Sequence, residues 1–190
     1  MNEVKRLQEL AGIITEIKVN NPNNMLKYAW IDSHEDYHQV NLASQQSYNA
    51  HIKSQAEEND TTPEDVMEWE WASYVVEIPN QKIVFMDWND EGVSTFGYDD
   101  FHEFLKEIST GYWGEDQLIE KLDENEGNGE EIFNDFYEND NKNLDIKIWE
   151  ILKTWINNSE ADGDSSSASL LIKDGKIIAG NPDNYYIIQY

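Results

Sequence analysis

The 190-residue chain sets 39 acidic residues against 13 basic ones, a formal charge of −26 at pH 7. Its one arginine is Arg6, so it lacks the cations that neutralise phosphates, which excludes direct nucleic-acid binding; like-charge repulsion keeps it from anionic membranes. The absence of cysteine excludes disulfides, thiolate metal sites and cysteine nucleophiles, while an aromatic share of 12% separates the chain from disordered acidic sequences.

From the N-terminus, Val4, Leu7, Leu10, Ala11, Ile14 and Ile17 recur at three- and four-residue spacing, which predicts an amphipathic helix ended by Asn20-Asn21-Pro22-Asn23-Asn24. Residues 1–19 are read as a helical arm and 25–190 as one acidic α+β domain. The arm either docks elsewhere or packs on its own core. It lacks the continuous apolar stretch of a signal peptide, and no apolar run in the chain reaches the roughly 20 residues of a membrane span. The expectation is a protein of the cell interior (a host cytoplasm) or of a virion, not secreted by a signal peptide.

Tyr28–Ile31 and Tyr37–Leu42 read as two short strands around the polar turn Asp32–Asp36. Ser47–Glu58 predicts a helix with Tyr48, Ile52 and Ala56 on one face. Thr62-Pro63-Glu64-Asp65 reads as a helix start, with a capping hydroxyl, Pro at the first position and an acid at the third. Trp71–Ile78 and Lys82–Trp88 are expected to form a hairpin across Pro79-Asn80-Gln81.

Four helices are expected next. They are marked by Phe101, Phe104, Leu105 and Ile108 after Asp99-Asp100; by Leu118, Ile119 and Leu122; by Ile132, Phe133, Phe136 and Tyr137; and by Ile148, Trp149, Leu152, Trp155 and Ile156. A Ser/Asp/Gly-rich loop spans 157–167. Asp174-Gly175 between Leu170–Lys173 and Lys176–Ala179 predicts a type I′ hairpin, and Tyr185–Tyr190 a final strand. The sum is a single α+β domain of antiparallel hairpins and amphipathic helices.

Charge is distributed in blocks. Glu57, Glu58, Asp60, Glu64, Asp65, Glu68 and Glu70 follow one another without a base, and so do Asp123, Glu124, Glu126, Glu130, Glu131, Asp135, Glu138 and Asp140. Such blocks stay solvated and serve either solubility or electrostatic recognition.

Two motifs bear on metals. His34-Glu35-Asp36-Tyr37-His38 matches H-E-x-x-H, in which two histidines one helical turn apart hold zinc and the glutamate is the general base. The five residues resemble the zinc-peptidase signature, although Asn41 and Ser44 replace the glycine and third histidine of its long form. Asp87-Trp88-Asn89-Asp90-Glu91-Gly92 resembles the opening of an EF-hand calcium loop, with Asp87, Asn89 and Glu91 as oxygen ligands, but Tyr98 stands where the bidentate Glu belongs. His51 and His102 read as isolated surface or core residues, and Trp69 and Trp71 as a core pair or the lining of a binding site.

Met1-Asn2-Glu3-Val4-Lys5-Arg6-Leu7-Gln8-Glu9-Leu10-Ala11-Gly12-Ile13 is similar to a leader on assorted proteins of marine tailed phages. Tyr28–Asp32, Ser47–His51 and Trp71–Ile78 resemble a hairpin–helix–strand pattern of uncharacterised phage proteins. The likeness covers about the first 90 residues and implies a phage origin with no particular activity. Some tailed phages cut head proteins after Leu/Ile-x-Glu, a pattern that Leu7-Gln8-Glu9 and Ile14-Thr15-Glu16 satisfy.

Three functions follow as expectations. The first is a non-enzymatic acidic protein that binds another, basic protein, in its sharpest form as a DNA mimic, with no cofactor and no catalytic residue. The second is a zinc-dependent hydrolase through His34, Glu35 and His38. The third is a calcium-stabilised structural or virion component through Asp87, Asn89 and Glu91.

Overall fold

Aromatic and β-branched residues at alternate positions build two four-stranded sheets, stacked and covered by helices on both outer sides. The computed structural model describes residues 25–34, 37–112, 114–162 and 166–189, side chains 32–34, 37, 70 and 73 excepted. The predicted arm therefore lies outside the described residues, as does Glu35. Strands are β1 (Leu26–His34), β2 (Tyr37–Ser44), β3 (Val76–Glu77), β4 (Ile83–Asn89), β5 (Gly92–Tyr98), β6 (Ala168–Lys173), β7 (Lys176–Gly180) and β8 (Tyr185–Ile188). Helices are α1 (Gln45–Glu58), α2 (Pro63–Met67), α3 (Phe101–Gly111), α4 (Glu115–Glu126), α5 (Gly129–Tyr137) and α6 (Asp145–Asn158).

The first sheet runs β3-β1-β2-β8 and the second β5-β4-β6-β7; all pairs are antiparallel except β2 with β8. β4 shows why the sheets stack. Its side chains alternate between two buried surroundings: Val84, Met86 and Trp88 meet Ala29, Val40 and Leu42 of the first sheet, while Ile83 and Phe85 turn to the helices. A strand buried on both faces reads as a continuous apolar run, as Ile83-Val84-Phe85-Met86 does. Trp88 ties the sheets together by donating its indole N–H to the His38 carbonyl at 2.8 Å. Phe85, Phe104, Phe133, Phe136, Leu118, Leu122, Ile148 and Leu152 fill the core under α3–α6, and burying each such side chain stabilises by about 1.5–3 kcal/mol. On the opposite side α1 and α2 cover the first sheet with Ile52, Ala56 and Val66.

Local chemistry explains the element ends. Ser44 caps α1 by accepting from Ser47 N. Thr62 and Asp65 form a reciprocal capping box around α2, with Pro63 at its first position. Asp100 caps α3. Asp174 and Gly175 both have positive φ, 49° and 73°, as a type I′ turn requires.

One expected hairpin is overturned. Trp71–Ile78 and Lys82–Trp88 do not pair: Glu70–Tyr74 winds as a 3₁₀ turn, Val76–Glu77 pairs with β1 in the first sheet, and Ile83–Asn89 pairs with β5 and β6 in the second. Pro79-Asn80-Gln81 carries the chain from one sheet to the other. The Trp71 ring packs 5.8 Å from Trp30 and 5.5 Å from His51, so its burial is met on the first sheet's outer face, outside any ladder. β5 follows as a strand for which no element was expected.

Candidate functional site

The two metal motifs take up neither of the geometries their chemistry needs. His34 ends β1 and His38 lies near the start of β2, with His34 paired to Tyr37 in an antiparallel hairpin. The helix that would align two histidines one turn apart is not formed, and Glu35 lies between the strands, outside the described residues. His38 uses its backbone instead, donating N–H to the Ala161 carbonyl at 3.2 Å. Residues 87–98 form a β-hairpin, not a calcium loop. Asn89 pairs with Gly92 across a two-residue turn, and Asn89 Oδ1 accepts from Glu91 N at 3.0 Å. Asp87 points at β6, where Ser169 Oγ lies 3.5 Å away. Half-buried, its carboxyl is pushed up to about 6 by desolvation, against which the hydroxyls of Ser167 and Ser169 act. Among the described residues no three His, Asp or Glu side chains are gathered for a metal ion.

The acidic blocks, in contrast, come together as surfaces. α4 and α5 form a hairpin whose inner faces bury Leu118, Leu122, Ile132, Phe133 and Phe136. The helical period therefore turns the remaining positions outward. Glu115, Asp116, Glu120, Asp123, Glu124, Glu126, Glu130, Glu131, Glu138 and Asp140 are all exposed, and Asp135 partly so. Lys121, the one base between Glu115 and Asp140, pairs with Glu124 at 2.7 Å. The other block lies on the far side of the molecule, where Glu57, Glu58, Asp60, Glu64, Asp65 and Glu68 of α1–α2 are exposed. Beside the α4–α5 face, Leu122, Ile151 and Trp155 floor a 630 Å³ groove, with Ile146 74% exposed at its edge.

His102, read from sequence as isolated, stands in a cluster. Its side chain is only 6% exposed, and Nδ1 lies 2.6 Å from Asp145 Oδ1 at the start of α6. A carboxylate can only accept, so Nδ1 carries the proton of this contact. Nε2 is buried without a hydrogen-bond partner among the described residues; Asp140 Oδ1 stands 3.7 Å away. Asp140 is bonded by Lys106, which holds its carboxyl below the usual range. Lys106 Nζ also lies 4.8 Å over the Tyr137 ring. Asp100 is likewise lowered, chiefly by the Glu103 N–H it accepts as helix cap and then by Lys142.

The cluster is nonlocal, since His102 and Asp145 are 43 positions apart. The available sequence signal was the apolar stripe of α3, which His102 and Ser109 widen; both are buried. Trp69, Trp71 and His51 pack against α1–α2 and the first sheet as a core cluster, with His51 stacked 5.5 Å from Trp30. No helix among the described residues is long and apolar enough to cross a membrane. Compared with known proteins, the chain matches no family model, no curated protein and no solved structure.

Proposed function

We propose that the chain is a non-enzymatic acidic interaction protein, taking a basic protein as partner through the α4–α5 face. One observation carries the reading: nine acids of the α4–α5 hairpin, with Glu138 and Asp140 just past its end, share that segment with a single base, and that base is already paired. Charge of one sign concentrated on a rigid surface attracts and orients an oppositely charged partner. The groove at Ile146 adjoins this face and adds Leu122, Ile151 and Trp155 as apolar contacts among its polar lining.

The test is retention from a host lysate at low salt on the immobilised protein, followed by elution with salt. Wild-type protein is expected to hold a basic protein that leaves as ionic strength rises. A variant neutralised at Glu115, Asp116, Glu120, Glu130 and Glu131 by Gln or Asn is expected to lose it, while one neutralised at Glu57, Glu58, Glu64 and Glu68 keeps it. Retention of nothing basic, or equal retention by the first variant, defeats the reading.

A further inference from the structure

We infer that residues 2–17, the arm that the apolar spacing at the N-terminus predicts, lie along the groove between α4 and α6. The inference goes beyond the acidic-face reading and stands without it. The groove measures 630 Å³ and is floored by Leu122, Ile151 and Trp155, with Ile146 at its edge. At 74% exposure Ile146 is the most exposed of the large apolar side chains among the described residues. Ile146, Glu150 and Thr154 follow one another a turn apart, and with Ile151 and Trp155 they carry the groove about 14 Å along α6. Leu7, Leu10, Ala11 and Ile14 of the arm repeat at three- and four-residue intervals. A stripe of that kind needs an apolar surface to lie on, and helices dock in grooves through anchors at those intervals.

Charge selects the arm over other occupants. Residues 1–24 hold three acids and three bases, so the whole formal charge of −26 falls on residues 25–190. The groove matches that balance, with Lys121 and Lys147 against Glu126 and Glu150 on its walls. Two other grooves do not: Glu130, Glu131 and Asp135 line one without a base, and Asp99, Glu103 and Glu107 line another. A neutral amphipathic helix enters the balanced groove free of the repulsion that a second copy of so acidic a chain brings.

The tether suffices. The arm rejoins the described chain at Met25, itself 43% exposed. Fully extended, residues 20–24 reach about 17 Å, and the helix adds about 24 Å. Together they match the width of a 190-residue domain, whose radius of gyration is about 16 Å. A partner that uses Leu122, Ile151 and Trp155 then displaces the arm, which acts as an intramolecular competitor for the groove.

Thiol accessibility tests this on the full chain, which has no cysteine of its own. Ile146→Cys and Thr154→Cys, at exposed positions on successive stretches of the groove, are each treated with a neutral maleimide. Each thiol is expected to react about tenfold faster when Leu7→Asp and Ile14→Asp disrupt the arm's stripe, the ratio expected of a docked segment that opens locally. Release at one of the two positions suffices, since a cysteine can itself loosen the arm. Glu57→Cys, exposed on the far side of the molecule, should react at one rate with either arm. Equal rates with the two arms at both groove positions overturn the inference. So does protection that grows with protein concentration, which assigns the groove to a second copy. Either failure leaves the acidic-face reading standing, because that reading is tested by salt-dependent retention and charge-neutralised variants in which the arm is unchanged.

Discussion

Asp87 and Ser169 face each other across β4 and β6, the serine hydroxyl 3.5 Å from the carboxylate at the rim of the helix-covered face. Burial there favours the protonated acid, moving its pKa from the usual 3.8 to about 6. The sign follows directly: the folded chain binds this proton more tightly than the unfolded chain. The group's contribution is therefore most favourable below the unfolded value and declines as pH rises towards 6. Asp87→Asn removes the ionisation and is expected to stabilise the protein at pH 7.5 by about 1–2 kcal/mol; the shift alone implies roughly 3, which the solvated edge of the carboxyl reduces. Urea unfolding of both proteins at pH 7.5 and pH 4 checks it. The gain should vanish at the lower pH, and equal midpoints at pH 7.5 contradict the argument.

Gly129 begins α5 where it presses on α4. A Cβ there would meet Ile119 O at 2.2 Å and Asp123 N at 2.6 Å, both backbone atoms that cannot swing aside. Gly129→Ala is expected to separate the α4–α5 hairpin at a cost of about 1–3 kcal/mol. Gly127 sits two residues earlier with φ of 78° and open space around it. Gly127→Asn, whose side chain tolerates that left-handed conformation, should cost less than 1 kcal/mol. Thermal melts of the two variants distinguish them, and equal losses would show that the close approach is not what requires glycine at 129.

Much of the fold was legible where chemistry is local. Thr62-Pro63-Glu64-Asp65 announced its capping box because all the groups involved lie within four residues, and Asp174-Gly175 its turn because both positions need positive φ. Phe104, Leu105 and Ile108, like Ile148, Leu152 and Ile156, repeat on one helical face and are buried as that spacing requires. Sheet membership was not legible. Val76-Glu77 alternates and Ile83–Met86 is continuously apolar, but either pattern states only which faces are buried and not which strand lies beside it. β5 escaped notice because Gly92, Ser94, Thr95 and Gly97 dilute its apolar signal; Gly97 lies so close to Gln81 that a Cβ would meet Oε1 at 1.6 Å.

The candidate site divides along the same line. The acidic runs could be counted in the sequence, and their collection on one outer face follows from buried Leu118, Leu122, Ile132 and Phe136 taking the inner positions. The surroundings of His102 could not be read, because Asp140 and Asp145 reach it only once α6 packs on α3. For H-E-x-x-H the polar turn read at Asp32–Asp36 already argued against a helix. The residue types were present, but β-pairing of Trp30 with Asn41 and Ile31 with Val40 draws His34 and His38 onto facing strands.

Calcium is expected to have no effect on stability through Asp87. Its carboxyl faces Ser169, Asn89 Oδ1 closes its own turn, and β5 occupies the residues that would complete the loop. Melting temperatures with added calcium and after chelation should coincide. A calcium-dependent rise that disappears in Asp87→Ala would restore the structural-ion reading.

Asp145 holds His102 in place between α3 and α6. The 2.6 Å contact joins the first turn of α3 to the first residue of α6, and the ring packs edge-on to Phe136 at 5.0 Å. Removing the acceptor leaves Nδ1–H buried beside an Nε2 that already lacks a partner, so the ring loses its only hydrogen bond among the described residues. Asp145→Ala is expected to cost about 2–3 kcal/mol, the desolvation penalty of a stranded donor together with a lost charge-assisted bond. Asp145→Asn keeps an oxygen to accept that proton and should cost about half as much. Asp99→Ala, at an exposed acid in the same region, should stay within about 0.5 kcal/mol of wild type. Urea unfolding orders the three. A purely surface role for Asp145 predicts that all three coincide, whereas the tether predicts alanine far below asparagine.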